Sequence, residues 1–289
     1  MLDVLIYGLI NGAILALIAS GFSLCYSVSR LPNFAHGALY ILAGLTAWTI
    51  LRPLNLSYPV AFICALVLTA LLGLAIYEFL VIRIRGMEAS EIIITFALAM
   101  AITELLRYFG YLGPRFTLPA LASGRTEVLG VPVDYHRLTI IGVGVLLLVF
   151  IWLFTHNTKV GLALRAIAQD DQAAMMLGID SDLTAALGLS FGSALAALAA
   201  LTVLPIGAIT VEMGYAALIF AIAVAIVGGL GSIMGSMAAA LVLGYAMTAA
   251  SKFIGTQYQM VVALAFIVLT LIIRPSGLLG KQKELEERV

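Results

Sequence analysis

The chain has 289 residues, of which 63% are hydrophobic and 10% charged, and its mean hydropathy is +1.14. Soluble domains are about half apolar and about one-quarter charged, so these proportions exclude an ordinary water-soluble protein. The formal net charge is zero and provides no general attraction for nucleic acid or another polyanion. The composition therefore indicates an all-α polytopic membrane protein without a nucleic-acid partner.

Runs without Asp, Glu, Lys or Arg predict the membrane spans, because a helix needs about 20 apolar residues to cross the hydrocarbon. Such runs cover residues 4–29, 31–51, 53–77, 138–158, 183–204 and 257–273. A further apolar stretch starts near Ile92 and carries Glu104 and Arg107 towards its end. The first run lacks a basic start and a clear cleavage site, so we expect it to be retained and not removed as a signal peptide.

The stretch 215–250 is too long for one helix and is interrupted by glycines. It predicts either two short crossings or a re-entrant pair. We therefore expect a helical bundle of about eight spans with broken or re-entrant helices, forming a single transmembrane domain over residues 1–289.

Basic residues in short loops favour the cytoplasmic side of the membrane. Arg83 and Arg85 form one cluster, and Lys159 with Arg165 forms the next, two spans later. Both clusters can therefore lie in the cytoplasm, together with the basic residues that follow the last span. This orientation makes residues 157–182 the largest cytoplasmic loop and places residues 113–137 outside.

The residue patterns of catalysis are missing from the sequence. His36, His136 and His156 lie far apart, so no metal-ligand spacing occurs, and no Ser-His-Asp pattern is recognisable. Residues 276–282 approach a phosphate-binding loop but lack its spacing and its hydroxyl. We expect no enzyme centre, metal site or cofactor in this chain, and any ATP must be held by another subunit.

Charged residues inside membrane helices are the usual sign of ion coupling. Glu104 and Arg107 are three residues apart and share one helix face, which favours an interfacial pair that neutralises itself. No carboxylate lies convincingly near mid-membrane. An ion-coupled secondary transporter is therefore the less favoured alternative.

The cytoplasmic stretch 161–180 contains strong helix formers between two glycines, with acidic residues in its middle. Leu164, Ile167, Ala168 and Asp171 follow helical spacing and give one modest apolar face. Such a helix would sit in a groove of a soluble partner and transmit a push to the flanking spans. The alternative is a helical loop that lies on the membrane surface.

Two breaks interrupt the apolar runs, one in each half of the chain. At residues 31–44, Pro32 interrupts helix hydrogen bonding, and at residues 227–240 glycines precede a face of small residues. Corresponding breaks in two halves point to a transport site between repeats. The alternative for the first break is a plain cytoplasmic turn in which Asn33 caps the next helix. The candidate pathway residues are Asn33, Phe34, His36, Gly37, Gly228, Gly229, Gly231 and Ser232.

Four stretches together resemble the permeases of bacterial branched-chain amino acid ABC transporters. They are Asn33-Phe34-Ala35-His36-Gly37, residues 161–180, Gly228-Gly229-Leu230-Gly231-Ser232 and Arg274-Pro275-Ser276-Gly277-Leu278-Leu279-Gly280. These motifs occur in the family's order and cover nearly the whole chain. The chain is similar to the shorter of the usual two permeases.

The resemblance implies a division of labour in the bacterial inner membrane. A periplasmic binding protein delivers the substrate to the outer face, using loops such as residues 113–137, and a second permease completes the pathway. Two ATPase subunits bind ATP and Mg on the cytoplasmic side. The contact with them is expected at Gly161, Leu164, Arg165, Ile167, Asp170, Asp171, Ala174 and Gly178.

Branched-chain or other hydrophobic amino acids are the expected substrates. Several permeases of this type carry a lysine shortly before the Gly-Gly block, whereas residues 218–226 of this chain are uncharged. Related permeases transport urea, short amides and aromatic acids, and these are the alternative substrates.

Overall fold

The computed structural model describes residues 1–30, 32–113 and 115–280. The predicted basic tail beyond residue 280 lies outside the described residues. Within the described ranges, the helices and strands are α1 Leu2–Ser29, α2 His36–Leu51, α3 Tyr58–Phe79, α4 Glu88–Tyr108, β1 Arg125–Val128, β2 Val131–Asp134, α5 Tyr135–Asn157, α6 Lys159–Gln169, α7 Asp171–Met176, α8 Ser181–Val203, α9 Met213–Gly228, α10 Ile233–Phe253 and α11 Gln259–Ile273.

Seven helical stretches in the described ranges are long and apolar enough to cross a membrane: α1, α3, α4, α5, α8, α10, and α11 together with the 3-10 turn before it, which gives 18 residues over Thr256–Ile273. Two shorter apolar helices, α2 and α9, have 16 residues each. The prediction of an all-α polytopic bundle of about eight spans is confirmed. The stretch 215–250 forms two helices, α9 and the longer α10, with a glycine turn between them.

The helices α1 and α8 form the centre of the bundle. Helix α1 packs against α8, α9 and α10, while α8 also contacts α2 and α3. Small residues permit this close approach, which is the usual way that membrane helices gain packing energy. Gly21 of α1 lies against the Gly192 backbone of α8, and Gly12 lies against Leu241 and Gly244 of α10. Helix α11 is peripheral, with only Ala263 buried.

Contacts between sequence-distant residues identify the two ends of the bundle. We call the end with Arg83 and Arg85 the inner end, because the basic loops predict that it is cytoplasmic. The loop 157–182 lies at the same end, since Arg85 bonds Ser181 at its border. At the outer end, Lys252 of α10 pairs with Asp3 of α1 at 2.9 Å.

A β-hairpin that the sequence did not predict lies in the outer loop. Strands β1 and β2 pair in an antiparallel register that sets Arg125 opposite Asp134. The turn residues Leu129 and Gly130 both have positive φ, 53° and 79°, as a tight two-residue hairpin turn requires. The Tyr7 hydroxyl donates to the Pro132 carbonyl at 2.7 Å and fastens the hairpin to α1.

Candidate functional site

The break between α1 and α2 lies inside the bundle and not at its end. The His36 imidazole, 1% exposed, bonds through Nε2 to the Ile18 carbonyl at 2.9 Å. Ile18 lies eleven residues before the end of α1, which corresponds to about 16 Å along the helix. The chain therefore returns from Arg30 to mid-depth before α2 begins, so the first break is a broken helix and not a plain surface turn.

The side chain of Asn33 stabilises this return. Its Oδ1 accepts from the Ala35 amide at 3.0 Å, and its carbonyl accepts from the His36 amide at 3.2 Å. Asn33 is 5% exposed, so these bonds satisfy polar groups that the bundle has removed from solvent. Asn33 thus shapes the turn before α2 inside the bundle, but it does not cap the helix, since the N-cap residue is Ala35 and no side chain bonds the first-turn amides.

Helix α9 also begins inside the bundle, beside the start of α2. A Cβ at Gly37 would overlap the Gly214 carbonyl oxygen, and a Cβ at Gly214 would lie 2.8 Å from the Gly37 oxygen. Both residues belong to the first turn of their helices, and the two helices run to opposite ends. The start of α2 therefore contacts the chain at Gly214, and not at residues 227–240 where the sequence shows its second break.

The break at residues 228–232 is a tight turn near the inner end. The Ser23 hydroxyl of α1 donates to the Ser236 hydroxyl at 2.8 Å, which places the start of α10 beside the inner third of α1. Ser232 is the N-cap of α10, and its Oγ accepts from the Gly235 amide at 3.0 Å. The two breaks singled out in the sequence therefore do not contact each other, and their correspondence as parts of two repeats stays a prediction.

The glycine turn binds the C-terminal segment of the described chain. The Leu278 and Leu279 amides donate to the Val227 and Gly228 carbonyls at 2.9 and 3.0 Å. These carbonyls are among the last of α9, which have no partner within their own helix. Gly229, with φ 101°, approaches the backbone of residues 276–280 so closely that a Cβ would lie 2.6 Å from the Gly280 Cα. Two motifs singled out in the sequence therefore form one structural unit.

The eight candidate pathway residues do not gather around one open space. Most of them are buried in helix contacts or turns, and none lines the three cavities that we describe in this structure. Their pathway role stays a prediction. The largest of these cavities, about 620 Å³, lies between α2, α3 and α4 and is mainly apolar. Its polar groups come from Thr46, Thr49 and Tyr111. In the sequence, the only sign of this cavity is the spacing of the two threonines, three residues apart in an apolar run, which places both on one face of α2.

A buried carboxylate was missed by the sequence reasoning. Glu91 of α4 is 2% exposed, and its Oε1 accepts from the Gly86 amide at 2.9 Å. It lies in the first turn of α4, where the helix dipole stabilises a negative charge. In the sequence it stands one residue before the predicted apolar stretch, and no pattern there signals that it is buried.

The cytoplasmic stretch forms two helices instead of the single one predicted. Thr158 caps α6, since its Oγ1 accepts from the Gly161 amide at 2.9 Å. Asp170 ends α6 in an extended conformation and caps α7, with its Oδ1 accepting from the Ala173 amide at 3.0 Å. Aspartate favours helix N-caps over helix interiors, so the two adjacent acidic residues divide the segment.

The predicted apolar face of this segment packs on the chain's own bundle. Leu164, Ile167 and Ala174 are 1–4% exposed and form a cluster with Val28 at the end of α1. Gly161 lies so close to α5 that a Cβ would overlap the Phe154 carbonyl. These residues anchor the helices to the spans, and they are not open to a partner protein in this structure.

The most exposed surface of this segment belongs to α7 and the turn after it. Met176 and Leu177 are 87% and 82% exposed, and Met175 is 47% exposed. Asp170, Asp171 and Gly178 are exposed as well, and Arg165 is partly exposed. Gly178, with φ 83°, ends the α7 turn. We call residues 175–177 the apolar tip. It is an exposed patch at the inner end of an otherwise anchored segment.

Comparisons with known proteins bear on this architecture. Residues 4–271 match the family model described as branched-chain amino acid transport system / permease component. The chain belongs to this family.

Among the described residues, no cluster of three or more His, Cys, Asp or Glu side chains is placed to hold a metal ion.

Several curated relatives match over nearly their whole length. The chain is 32% identical to the high-affinity branched-chain amino acid transport system permease protein BraD of Pseudomonas aeruginosa, over 97% of this chain and 96% of that protein. It is 30% identical to the protein LivH of Escherichia coli K12, over 95% and 94% of the two chains. A probable LivH permease of Methanocaldococcus jannaschii is 28% identical, over 94% and 90%.

A solved structure shares the fold. The chain matches PsaBC from Streptococcus pneumoniae, solved in complex with Fab, with a TM-score of 0.52 and 16% identity over 98% of this chain and 94% of that one. At this identity the likeness concerns the fold alone. Family and span pattern together make this branched-chain amino acid permease homologue a multi-pass protein of the inner membrane.

Proposed function

We propose that this chain is a transmembrane permease subunit of a binding-protein-dependent ABC importer for branched-chain or other hydrophobic amino acids. Family membership over residues 4–271 is the observation that carries the proposal. In this proposal the chain performs no covalent chemistry and holds no cofactor. Two ATPase subunits bind ATP and Mg, a second permease completes the pathway, and a periplasmic binding protein delivers the substrate.

The inner end supports an ATPase contact at residues 157–182. The apolar tip at residues 175–177 projects two highly exposed side chains, Met176 and Leu177. Behind it, Leu164 and Ile167 anchor the segment to α1. A contact segment needs both parts, because a push on its surface moves the spans only if its base is fixed to them. Binding of nucleotide to the ATPases would then favour one pathway state over another by differential affinity.

The outer end supports docking of the binding protein. The hairpin β1–β2 is held on α1 by the Tyr7 bond to Pro132, so it presents a fixed surface. The connection after α8 is fixed to the same loop, because the Ile209 amide donates to the Phe116 carbonyl at 2.7 Å. A preformed surface lowers the ordering cost of association.

The role of the importer is tested by purifying this chain from its native membranes and reconstituting whatever complex comes with it into liposomes. We expect an ATPase in the complex and ATP-driven uptake of leucine, isoleucine and valine. Urea, acetamide and benzoate in parallel assays test the alternative substrates. Uptake by the chain alone, driven by an ion gradient without nucleotide, would instead establish a secondary transporter.

The ATPase contact is tested by Met176→Asp together with Leu177→Asp. Charges on the apolar tip should lower the amount of co-purifying ATPase strongly, because they would be desolvated in the contact. The matched control is Leu129→Asp, at the tip of the outer hairpin, where the side chain is 74% exposed. It adds one charge to a similarly exposed apolar position at the opposite end and should leave the ATPase bound. Equal ATPase recovery from all variants would refute the assignment of the contact.

A further inference from the structure

The first break is held from two sides, by α1 and by α4. Arg30, which caps α1 with φ 58°, lies immediately before it. On the other side, the Phe34 amide donates to Thr95 Oγ1 of α4 at 3.4 Å, and the Phe34 and Phe96 rings meet edge to face at 6.4 Å. The position of residues 32–35 is therefore set by the end of α1 together with the first turns of α4.

The cytoplasmic segment is bonded to the first of these supports. The Arg30 guanidinium donates to the Ala168 carbonyl in the last turn of α6 at 2.7 Å. The cluster of Val28 with Leu164 and Ile167 packs at the same place. A displacement of α6 must therefore move the end of α1 or break these contacts.

A polar network bonds the same segment to the second support. Arg85 lies in the turn before α4, and its Nη2 donates to the Ser181 hydroxyl at 2.5 Å. The Ser181 hydroxyl in turn donates to Asp171 Oδ1, in the first turn of α7, at 2.8 Å. Arg85 also pairs with Asp182, which accepts from the Tyr77 hydroxyl at 3.0 Å. The network thus joins α3, the turn before α4, α7 and α8.

Arg85 keeps its positive charge in this network. Partial burial by itself lowers the pKa of the guanidinium, but the hydrogen bond to Asp182 and the nearby acidic groups outweigh burial and raise the pKa above its ordinary value. The side chains of Arg85 and Asp182 are 30% and 53% exposed. Ion pairs of this exposure add little to folding stability. Variants of Arg85 should therefore fold, and their phenotype can report on transport.

The two bonded positions, Ala168 and Asp171, are adjacent to the junction of α6 and α7. We propose that Arg85 is a positioning residue that passes movement of the ATPase-contact segment to α4 and so to the break at residues 32–35. The Arg30 bond to Ala168 passes the same movement to α1. The inference rests on the proposed function, and it assigns to the turn before α4 a role in coupling ATP hydrolysis to opening of the pathway.

The test uses the complete transporter in proteoliposomes and measures substrate uptake and ATP hydrolysis in the same sample. Arg85→Gln removes the charge and the forked donor geometry, while Arg85→Lys keeps the charge alone. We expect Arg85→Gln to lower the number of molecules transported per ATP by about 5-fold or more, which is the lower range of coupling between sites. Hydrolysis and the amount of bound ATPase should stay near the wild-type values, and Arg85→Lys should be intermediate.

The matched control is Arg83→Gln, two residues earlier in the same connection. The Arg83 side chain is exposed and makes no hydrogen bond or ion pair with the described residues. Arg83→Gln should keep the wild-type number of molecules transported per ATP. This control distinguishes loss of the Arg85 network from loss of a basic charge at the inner surface. Ser181→Ala should also lower the ratio, and the double variant with Arg85→Gln should show less than the sum of the two effects.

Three results would overturn the proposal. The first is an unchanged ratio in Arg85→Gln, and the second is an equal fall in Arg83→Gln. The third is a parallel loss of uptake, hydrolysis and bound ATPase, because Arg85 would then act in assembly. The wild-type sample separates these results from failure of the proposed function: if it shows no ATP-driven uptake of any substrate tested, the importer role is wrong and the coupling role falls with it.

Discussion

The contact between the glycine turn and the C-terminal segment makes a quantitative prediction about four alanine substitutions. Gly229 combines two constraints: a positive φ of 101° and a backbone neighbour where a Cβ would stand. Gly231 has a positive φ of 83° but open space around it. Gly37 has a backbone neighbour without a positive φ, and Gly142 on α5 has neither constraint. The four positions therefore separate backbone strain from steric overlap.

The two costs have known sizes. A non-glycine residue in a rarely populated backbone region costs about 1–3 kcal/mol. An extra carbon forced into a packed site costs typically about 1–3 kcal/mol. Gly231→Ala and Gly37→Ala should each lower the free energy of unfolding by one of these amounts. Gly229→Ala should lower it by both, about 2–6 kcal/mol in total. Gly142→Ala should be neutral or stabilising by up to about 1 kcal/mol, because alanine is the better helix former.

The assay is thermal unfolding of the detergent-solubilised protein at one scan rate, since unfolding of such proteins is often irreversible and then depends on the rate. We expect the apparent midpoints to fall in the order Gly142→Ala, then Gly231→Ala and Gly37→Ala, then Gly229→Ala. If Gly229→Ala unfolds no earlier than Gly231→Ala, the C-terminal segment does not press on the turn, and the packing of the two motifs is wrong. If Gly142→Ala also lowers the midpoint, the destabilisation comes from alanine in general and not from the contacts of the individual sites.

Two further predictions concern side-chain hydroxyls. Ser232→Ala removes the cap of α10 and should cost about 1 kcal/mol, whereas Ser232→Thr keeps the capping oxygen and should restore most of the stability; equal midpoints for the two variants would contradict the cap. The buried bond between Ser23 and Ser236 should give a coupling energy of about 0.6 kcal/mol in a double-mutant cycle with alanine, measured by unfolding; a coupling of zero would mean that the two hydroxyls do not interact.

Sequence predicts the spans of this protein well because the bilayer imposes a simple rule on length and charge. The runs at residues 138–158 and 183–204 correspond to α5 and α8 within a few residues. The positions at which helices begin inside the bundle are harder to predict. Pro32 and Asn33 give a signal for α2, whereas near the start of α9 the sequence offers only Glu212, two residues before Gly214, and nothing that marks Gly214 as a contact. Its role depends on the backbone of Gly37, which is distant in sequence.

The hairpin and the division of residues 159–176 into two helices show a second limit. The hairpin has only four residues in each strand, and its turn contains Leu129, which gives no turn signal of its own. The division of residues 159–176 depends on Asp170, which acts as a cap although the flanking residues are good helix formers. In both cases the backbone conformation of one or two residues, Leu129 with Gly130 and Asp170, decides the structure against the secondary-structure propensity of the surrounding residues.

The candidate ATPase contact shows why an apolar face does not reveal its partner. The spacing of Leu164 and Ile167 correctly indicates a face that leaves water, but periodicity carries no information on what covers it. In the structure, Val28 of the same chain covers that face, while Met176 and Leu177 remain exposed. If the ATPases bind here, the residues that touch them and the residues that transmit their movement are different sets. The amphipathic pattern predicts the second set, and only the exposure in the folded chain identifies the first.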